Sequence, residues 1–134
     1  MLKLFRCLAT VVMLISFGGI FNGAMAKAVI KYDKVTNDFG TFPESKVVEC
    51  VFTFTNSGDE PLVIQQVITT CGCTIAEYTK TPVKPGKQGV IKVKYNGKGK
   101  AKGKFKKAIN VRTNASNNFT RLYITGDMKA QSDN

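Results

Sequence analysis

The feature that most constrains the fold of this chain is a two-residue alternation of apolar and polar side chains. It is clearest in residues 46–56, where Val48, Cys50, Phe52 and Phe54 occupy every second position. Side chains two residues apart in a strand point to the same face of the sheet. The pattern therefore predicts a β-strand that buries one face and exposes the other.

The same period returns in other segments bounded by turn-forming residues: 29–33, 38–42, 62–69, 75–78, 90–95, 105–113 and 119–128. In residues 62–69 the alternation changes phase at Gln65 and Gln66, which predicts a β-bulge. Residues 56–61 are rich in turn formers and predict a hairpin connection. No segment has the apolar period of an amphipathic helix.

Short strands with turns every eight to twelve residues, over about 100 residues, predict an all-β protein with a single immunoglobulin-like β-sandwich of about seven strands. An open β-barrel is the alternative that this pattern leaves open. We find no internal repeat and no composition shift that would indicate a second domain.

The first 26 residues predict a cleaved signal peptide, with Lys3 and Arg6 before an apolar block and small residues at Ala24 and Ala26. Removing 26 of 134 residues leaves 108, which is enough for a hydrophobic core. We expect an immunoglobulin-like domain over 27–129 and a disordered tail over 130–134. The protein is predicted to be exported to the periplasm or cell envelope, with no transmembrane segment after cleavage.

Positive charge is concentrated in the second half of the chain. Residues 78–126 contain 13 Lys or Arg and no acidic residue. Six of these lysines form a predicted lysine-rich hairpin that could bind an anionic surface: Lys98, Lys100, Lys102, Lys104, Lys106 and Lys107. The alternative is a solvated segment that protects a sheet edge from aggregation. Export and the scarcity of interleaved aromatics argue against sequence-specific nucleic-acid binding.

Three cysteines follow the predicted signal peptide, and an odd number leaves at least one thiol free or paired with another molecule. Cys71 and Cys73 flank Gly72, and they could pair only if the chain bends at this glycine. The pair could be structural or could exchange with partner thiols. Cys50 is expected to be a buried free thiol, and a bridge from Cys50 to Cys71 or Cys73 is the second possibility.

Catalytic and metal-binding arrangements are not evident in the sequence. The chain has no histidine, so it lacks the common serine or cysteine triads. Three cysteines without histidine are a poor zinc ligand set. We therefore expect no metal, no cofactor and no enzymatic activity.

An ordered set of short motifs spans residues 30–128: Phe39-Gly40, Phe52-x-Phe54-x-Asn56-x-Gly58, Pro61-Leu62-x-Ile64, Cys71-Gly72-Cys73-Thr74, Pro85-Gly86, Gly103-x-Phe105 with Lys107, Asn114 and Leu122-x-Ile124-x-Gly126. This combination resembles the bacterial domain of unknown function 1573 family. The resemblance implies an immunoglobulin-like fold related to Hydin and major-sperm-protein modules, which are interaction or scaffold domains. It also implies an envelope location and a role in binding or scaffolding a macromolecular partner, a protein or another envelope component, without a defined biochemical activity.

Overall fold

The computed structural model describes residues 26–130, so residues 1–25 of the predicted signal peptide and residues 131–134 of the predicted tail lie outside it. The described part contains eight strands: β1 (Ile30–Tyr32), β2 (Thr36–Pro43), β3 (Val48–Asn56), β4 (Ile64–Thr69), β5 (Thr74–Tyr78), β6 (Gln88–Tyr95), β7 (Gly103–Thr113) and β8 (Phe119–Lys129). Residues 26–130 contain no helix that is long and apolar enough to cross a membrane.

The strands form two four-stranded sheets. The first sheet has the order β1-β3-β6-β5 and the second has the order β2-β8-β7-β4. All neighbouring strands are antiparallel except β2 and β8, which are parallel. The predicted all-β sandwich is confirmed. The strand predicted over 38–42 begins earlier, at Thr36, and β2 pairs in the sheet opposite to that of β1.

Two predicted hairpins are wrong. Residues 57–63 lead from β3 in the first sheet to β4 in the second, and residues 96–102 lead from β6 in the first sheet to β7 in the second. We call residues 96–102 the basic crossover. Turn-forming residues show where a chain can reverse, but they do not show which strand the next segment pairs with. That choice depends on which packing buries the apolar faces.

The predicted alternation places the core between the two sheets. Side chains at every second position of the central strands are almost fully buried: Phe52, Phe54, Ile91, Val93, Ile109, Val111, Leu122 and Ile124. Burying each of the larger ones contributes about 1.5–3 kcal/mol relative to leaving it exposed. The core therefore holds the two sheets in a fixed relation and fixes the positions of their edges.

Asn56, the last residue of β3, is completely buried at the point where the chain leaves the first sheet. Its side-chain oxygen accepts hydrogen bonds from the backbone N–H of Gly58 at 3.0 Å and of Val29 at 3.4 Å. Its side-chain nitrogen donates to the carbonyls of Glu60 and Val83. A buried amide with all these partners stabilises the crossing, because three of the four groups would otherwise lack a partner. The fourth, the Val83 carbonyl, also accepts from the Leu62 N–H at 2.8 Å.

Candidate functional site

The predicted Cys-Gly-Cys motif lies where the chain crosses from β4 to β5, at one lateral side of the sandwich. We call Cys71–Thr74 the cystine corner. The N–H of Thr74 donates to the carbonyl of Cys71 at 3.0 Å, which closes a tight turn. The Cys71 and Cys73 Cα atoms are 5.2 Å apart and their sulfurs form a disulfide. Two positions of an extended strand would be about 6.6 Å apart, so the turn brings the two cysteines into disulfide range.

The bend does not depend on glycine as the sequence suggested. The φ of Gly72 lies outside the left-handed region that favours glycine, and a Cβ placed there would meet no atom within 4 Å. The turn instead follows from the hydrogen bond between residues 71 and 74 and from the change of sheet on either side of it.

Backbone and side-chain hydrogen bonds fix the cystine corner to two neighbouring segments. The Asn96 N–H donates to the Cys73 carbonyl at 2.9 Å, which ties the corner to the end of β6. The Thr69 hydroxyl donates to the Thr74 carbonyl at 3.1 Å, which links the last residue of β4 to the first of β5. The corner is therefore held in place by bonds other than the disulfide.

The two sulfurs have different surroundings. Cys73 is 7% exposed, whereas Cys71 is only partly buried. The Cys73 N–H donates to the Cys71 sulfur at 3.3 Å. The Thr74 hydroxyl lies 4.0 Å from the Cys73 sulfur. This distance is at the outer limit for a hydrogen bond to sulfur.

The third cysteine is not part of the corner. Cys50 is a partly buried free thiol on β3, opposite Val93 of β6, so the whole of β6 separates it from β5. Burial raises the pKa of its thiol to about 11, although Lys34 partly opposes this rise. A thiol of that pKa is almost entirely protonated at neutral pH and is a poor nucleophile. The alternative bridge from Cys50 to Cys71 or Cys73 is not formed in the structure.

The six lysines predicted as an anion site are divided between two elements. Lys98, Lys100 and Lys102 belong to the basic crossover, and Lys104, Lys106 and Lys107 belong to β7. Lys104 and Lys106 are exposed, and the Lys106 ammonium lies 4.4 Å from the centre of the Tyr123 ring.

Lys107 is half-buried, and it lies on the opposite side of β7 from Lys104 and Lys106, the side that carries Phe105 and Ile109. Lys102 pairs with Glu44 at 3.5 Å. The structure therefore does not bring all six lysines to one face.

An unpaired sheet edge begins at the cystine corner, and no pattern in the sequence predicts it. β5 is the outermost strand of the first sheet. The Thr79 N–H donates to Val90 of β6 at 3.1 Å. Because bonded pairs alternate along an antiparallel ladder, Ile75 and Glu77 also bond to β6, and Ala76 and Tyr78 direct their N–H and C=O groups away from the sheet.

The other three edge strands carry features that discourage pairing. β1 has only three residues. The Ile30 N–H donates to the Asn117 side-chain oxygen at 3.2 Å, and the Asn117 side-chain nitrogen donates to the Ile30 carbonyl at 2.8 Å, so neither backbone group is left for another strand. β2 is interrupted between Asp38 and Thr41 and ends at Pro43.

β4 shows the predicted bulge, as a register shift between Ile64 and Gln66. Short length, bulges, proline and lysine are the usual ways of protecting an edge.

β5 has no bulge, no proline and no lysine. Its sequence is Thr-Ile-Ala-Glu-Tyr, so it is five residues long with one exposed charged residue, Glu77, and its register with β6 is unbroken. Ile75 is 59% exposed on β5, and Ile68 is 48% exposed on β4. Along the chain, the cystine corner therefore lies between two exposed isoleucines, at the start of an edge strand with regular backbone geometry.

Potential metal ligands do not cluster within residues 26–130: no group of three or more Asp, Glu, Cys or His side chains is placed to hold an ion.

The two four-stranded sheets and the apolar core between them define an immunoglobulin-like β-sandwich domain. The chain belongs to the family described as protein of unknown function DUF1573, whose model matches residues 30–128. The family suggested by the motifs is thereby confirmed. The sequence matches none of the curated proteins.

Solved structures share this fold at low sequence identity. A protein of unknown function from Porphyromonas gingivalis W83 is 17% identical with a TM-score of 0.67, and the match covers 81% of this chain and 51% of that one. This chain therefore spans about half the length of that protein. The PapD-like domain 7 of human CEP192 is 8% identical with a TM-score of 0.65, and covers 79% of this chain and 89% of the other.

A chaperone and a protease also contain the fold. The YadV chaperone is 14% identical with a TM-score of 0.54, and the match covers 81% of this chain and 55% of the chaperone. Vibrio cholerae VesB protease is 14% identical with a TM-score of 0.58, but the match covers 75% of this chain and only 32% of the protease. At such identities these likenesses establish the fold and not the activity.

Proposed function

We propose that this protein is an exported, non-enzymatic module of the periplasm or cell envelope that binds another polypeptide by adding one of its extended segments to β5. The open β5 edge carries this proposal. Ala76 and Tyr78 offer two sets of unpaired backbone groups, and Ile75 offers an exposed apolar side chain beside them. An extended peptide can satisfy such backbone groups and place alternate side chains against the domain.

The likeness to periplasmic chaperones and to other PapD-like domains supports a binding role. An envelope location is supported by the signal-like first 26 residues and by the similarity to SfaE, which is described as a periplasmic chaperone. Strand addition at β5 uses backbone groups, so the partner's segment does not need to contain a cysteine.

The proposal is tested by placing proline in the edge. Ala76→Pro removes an N–H that points away from β6, so the β5–β6 ladder keeps its own bonds. We expect this variant to lose a partner that native protein captures from envelope extract. Hydrogen exchange of the native complex should show the Ala76 and Tyr78 amides protected by the partner.

Three variants serve as comparisons. Ala76→Val keeps the N–H and should retain binding. Ile75→Lys introduces an edge lysine and should weaken binding, whereas Val47→Lys, at a residue 51% exposed outside the strands, should not. Equal capture by native protein and Ala76→Pro, with both folded by circular dichroism, would exclude strand addition at β5.

A further inference from the structure

We propose that the Cys71–Cys73 disulfide undergoes thiol–disulfide exchange with a cysteine-bearing polypeptide, and that Cys71 is the sulfur that carries the mixed disulfide. The polypeptide nature of the thiol donor rests on the proposed function, because the cystine corner adjoins the β5 edge. The exchange at Cys71 does not rest on it, because a small thiol needs no strand pairing.

The disulfide contributes little that the fold requires. A cross-link between residues two apart closes a very short loop, and the loss of unfolded-chain entropy is smallest for short loops. The turn is already closed by the Thr74–Cys71 backbone bond, and Asn96 and Thr69 anchor its two sides. A structural role alone does not account for a disulfide at this place.

Access selects Cys71 as the sulfur that an incoming thiolate reaches. Cys73 is 7% exposed and belongs to the buried core, whereas Cys71 is only partly buried and packs against the outside of that core. Exchange requires the attacking sulfur to approach one sulfur of the disulfide directly, so its rate depends on which sulfur is accessible.

The Cys73 N–H donates to the Cys71 sulfur at 3.3 Å. Strands β6 and β7, which border the corner, contain no carboxylate that would repel an approaching thiolate.

The exchange is balanced without a further reactant. A partner thiolate attacks the Cys71 sulfur, a new S–S bond forms there, and the Cys71–Cys73 bond breaks. Its electron pair leaves on the Cys73 sulfur, beside the Thr74 hydroxyl, and that thiolate takes a proton from water.

The mixed disulfide can then break in two ways. The Cys73 thiolate can attack Cys71 and release the partner unchanged. Alternatively, a second thiol of the partner attacks the partner's own sulfur, so that the partner is oxidised to a disulfide and Cys71 and Cys73 are reduced. Cys50 takes no part, because it lies beyond β6 and its raised pKa leaves it protonated.

The test compares single-thiol variants made with Cys50→Ser, using glutathione disulfide as the probe at pH 7.5. Cys73→Ser leaves only Cys71, and Cys71→Ser leaves only Cys73. Intact mass follows the addition of one glutathione. We expect Cys71 to react at least about tenfold faster than Cys73, because its thiol is more accessible. Equal rates, or faster reaction at Cys73, would overturn the proposal.

A second measurement uses the native disulfide and does not depend on the folding of either variant. Native protein is mixed with reduced glutathione, quenched with acid and mapped by peptide mass. Glutathione on Cys71 supports the proposal, whereas glutathione on Cys73, or a disulfide that resists millimolar glutathione, contradicts it. Ala76→Pro should react at the native rate, so a failure of strand addition and a failure of exchange give different results.

Discussion

Tyr95 at the end of β6 and Phe105 near the start of β7 stack across the sandwich, with ring centres 4.4 Å apart and planes inclined by 18°. The two residues belong to opposite sheets, and the basic crossover runs between them. Phe42 contacts both rings edge-on, at 6.3 and 5.9 Å. These three aromatic rings close one end of the core, so the lysine-rich segment begins and ends at fixed points.

This stack predicts a measurable coupling between its two residues. Tyr95→Leu and Phe105→Leu should each destabilise the domain, and the double variant should be more stable than the sum of the two losses predicts. The coupling should be about 1 kcal/mol, which is typical of aromatic pairs. Urea unfolding of the native protein, the two single variants and the double variant measures this coupling energy. A coupling near zero would show that the rings contribute only by burial.

Gly126 and Gly72 should differ sharply in their tolerance of alanine. A Cβ at Gly126 would lie 2.8 Å from the Phe42 ring and 2.9 Å from the Phe105 ring, whereas a Cβ at Gly72 meets nothing within 4 Å. We expect Gly126→Ala to destabilise the domain by about 1–3 kcal/mol through overpacking.

Gly72→Ala serves as the matched control for that prediction. It should change the unfolding free energy by no more than about 0.5 kcal/mol and should keep the disulfide. Thermal unfolding and intact mass check both variants, and a large loss at Gly72 would mean that the corner needs a backbone conformation other than the one observed.

Asn56→Ala should be among the most destabilising single changes. It leaves the Gly58 N–H and the Glu60 carbonyl without their side-chain partner, and the Val83 carbonyl keeps only its bond from the Leu62 N–H. We expect a loss of about 2–4 kcal/mol, since each unsatisfied buried group contributes about 1–3 kcal/mol and some will regain water. Asn118→Ala, at an exposed turn position, is the control and should be nearly neutral. Chemical unfolding at neutral pH distinguishes the two.

Cys50 should resist alkylation in the folded protein. With a pKa of about 11, its thiolate is about a thousandth of the population at pH 8, against about a quarter for an ordinary thiol. A higher intrinsic nucleophilicity offsets part of this difference. We expect iodoacetamide to react with Cys50 of the folded protein at least about tenfold more slowly than with Cys50 of the urea-unfolded protein. A native rate equal to the unfolded rate would contradict the burial of this thiol.

The same pKa predicts a dependence of stability on pH. Because the folded pKa of Cys50 is raised, the stability it contributes is present below the unfolded pKa near 8.5 and is lost as pH rises through about 11. After allowance for partial exposure to solvent, the loss should be at most about 1 kcal/mol. The difference in unfolding free energy between native protein and Cys50→Ala should therefore change with pH, since the other titrating groups are common to both proteins.

Comparison of particular elements shows how far the sequence predicts this molecule. The alternation of Val48, Phe52 and Phe54 correctly predicted a strand with one buried face, and the phase change at Gln65 correctly predicted a bulge. Strand positions were predictable because side-chain alternation is local.

The candidate site was only partly predictable. The sequence identified Cys71 and Cys73 as a pair that could close across a bend, but it did not show that Cys73 would be buried and Cys71 accessible. It also gave no sign that β5 would be an edge strand, since Thr74–Tyr78 looks no different from a short central strand. Edge position depends on the order in which strands pair, and pairing joins residues that are distant in the chain.

The chain's own order of residues thus determined which segments are strands, which of their faces are apolar and where the chain turns. The tertiary structure alone decided that residues 57–63 and 96–102 cross between sheets, that Cys50 is separated from the other two cysteines, and that β5 lacks a second neighbour. The physical reason is that strand alternation arises within a few residues, whereas sheet order results from burying all the apolar faces together.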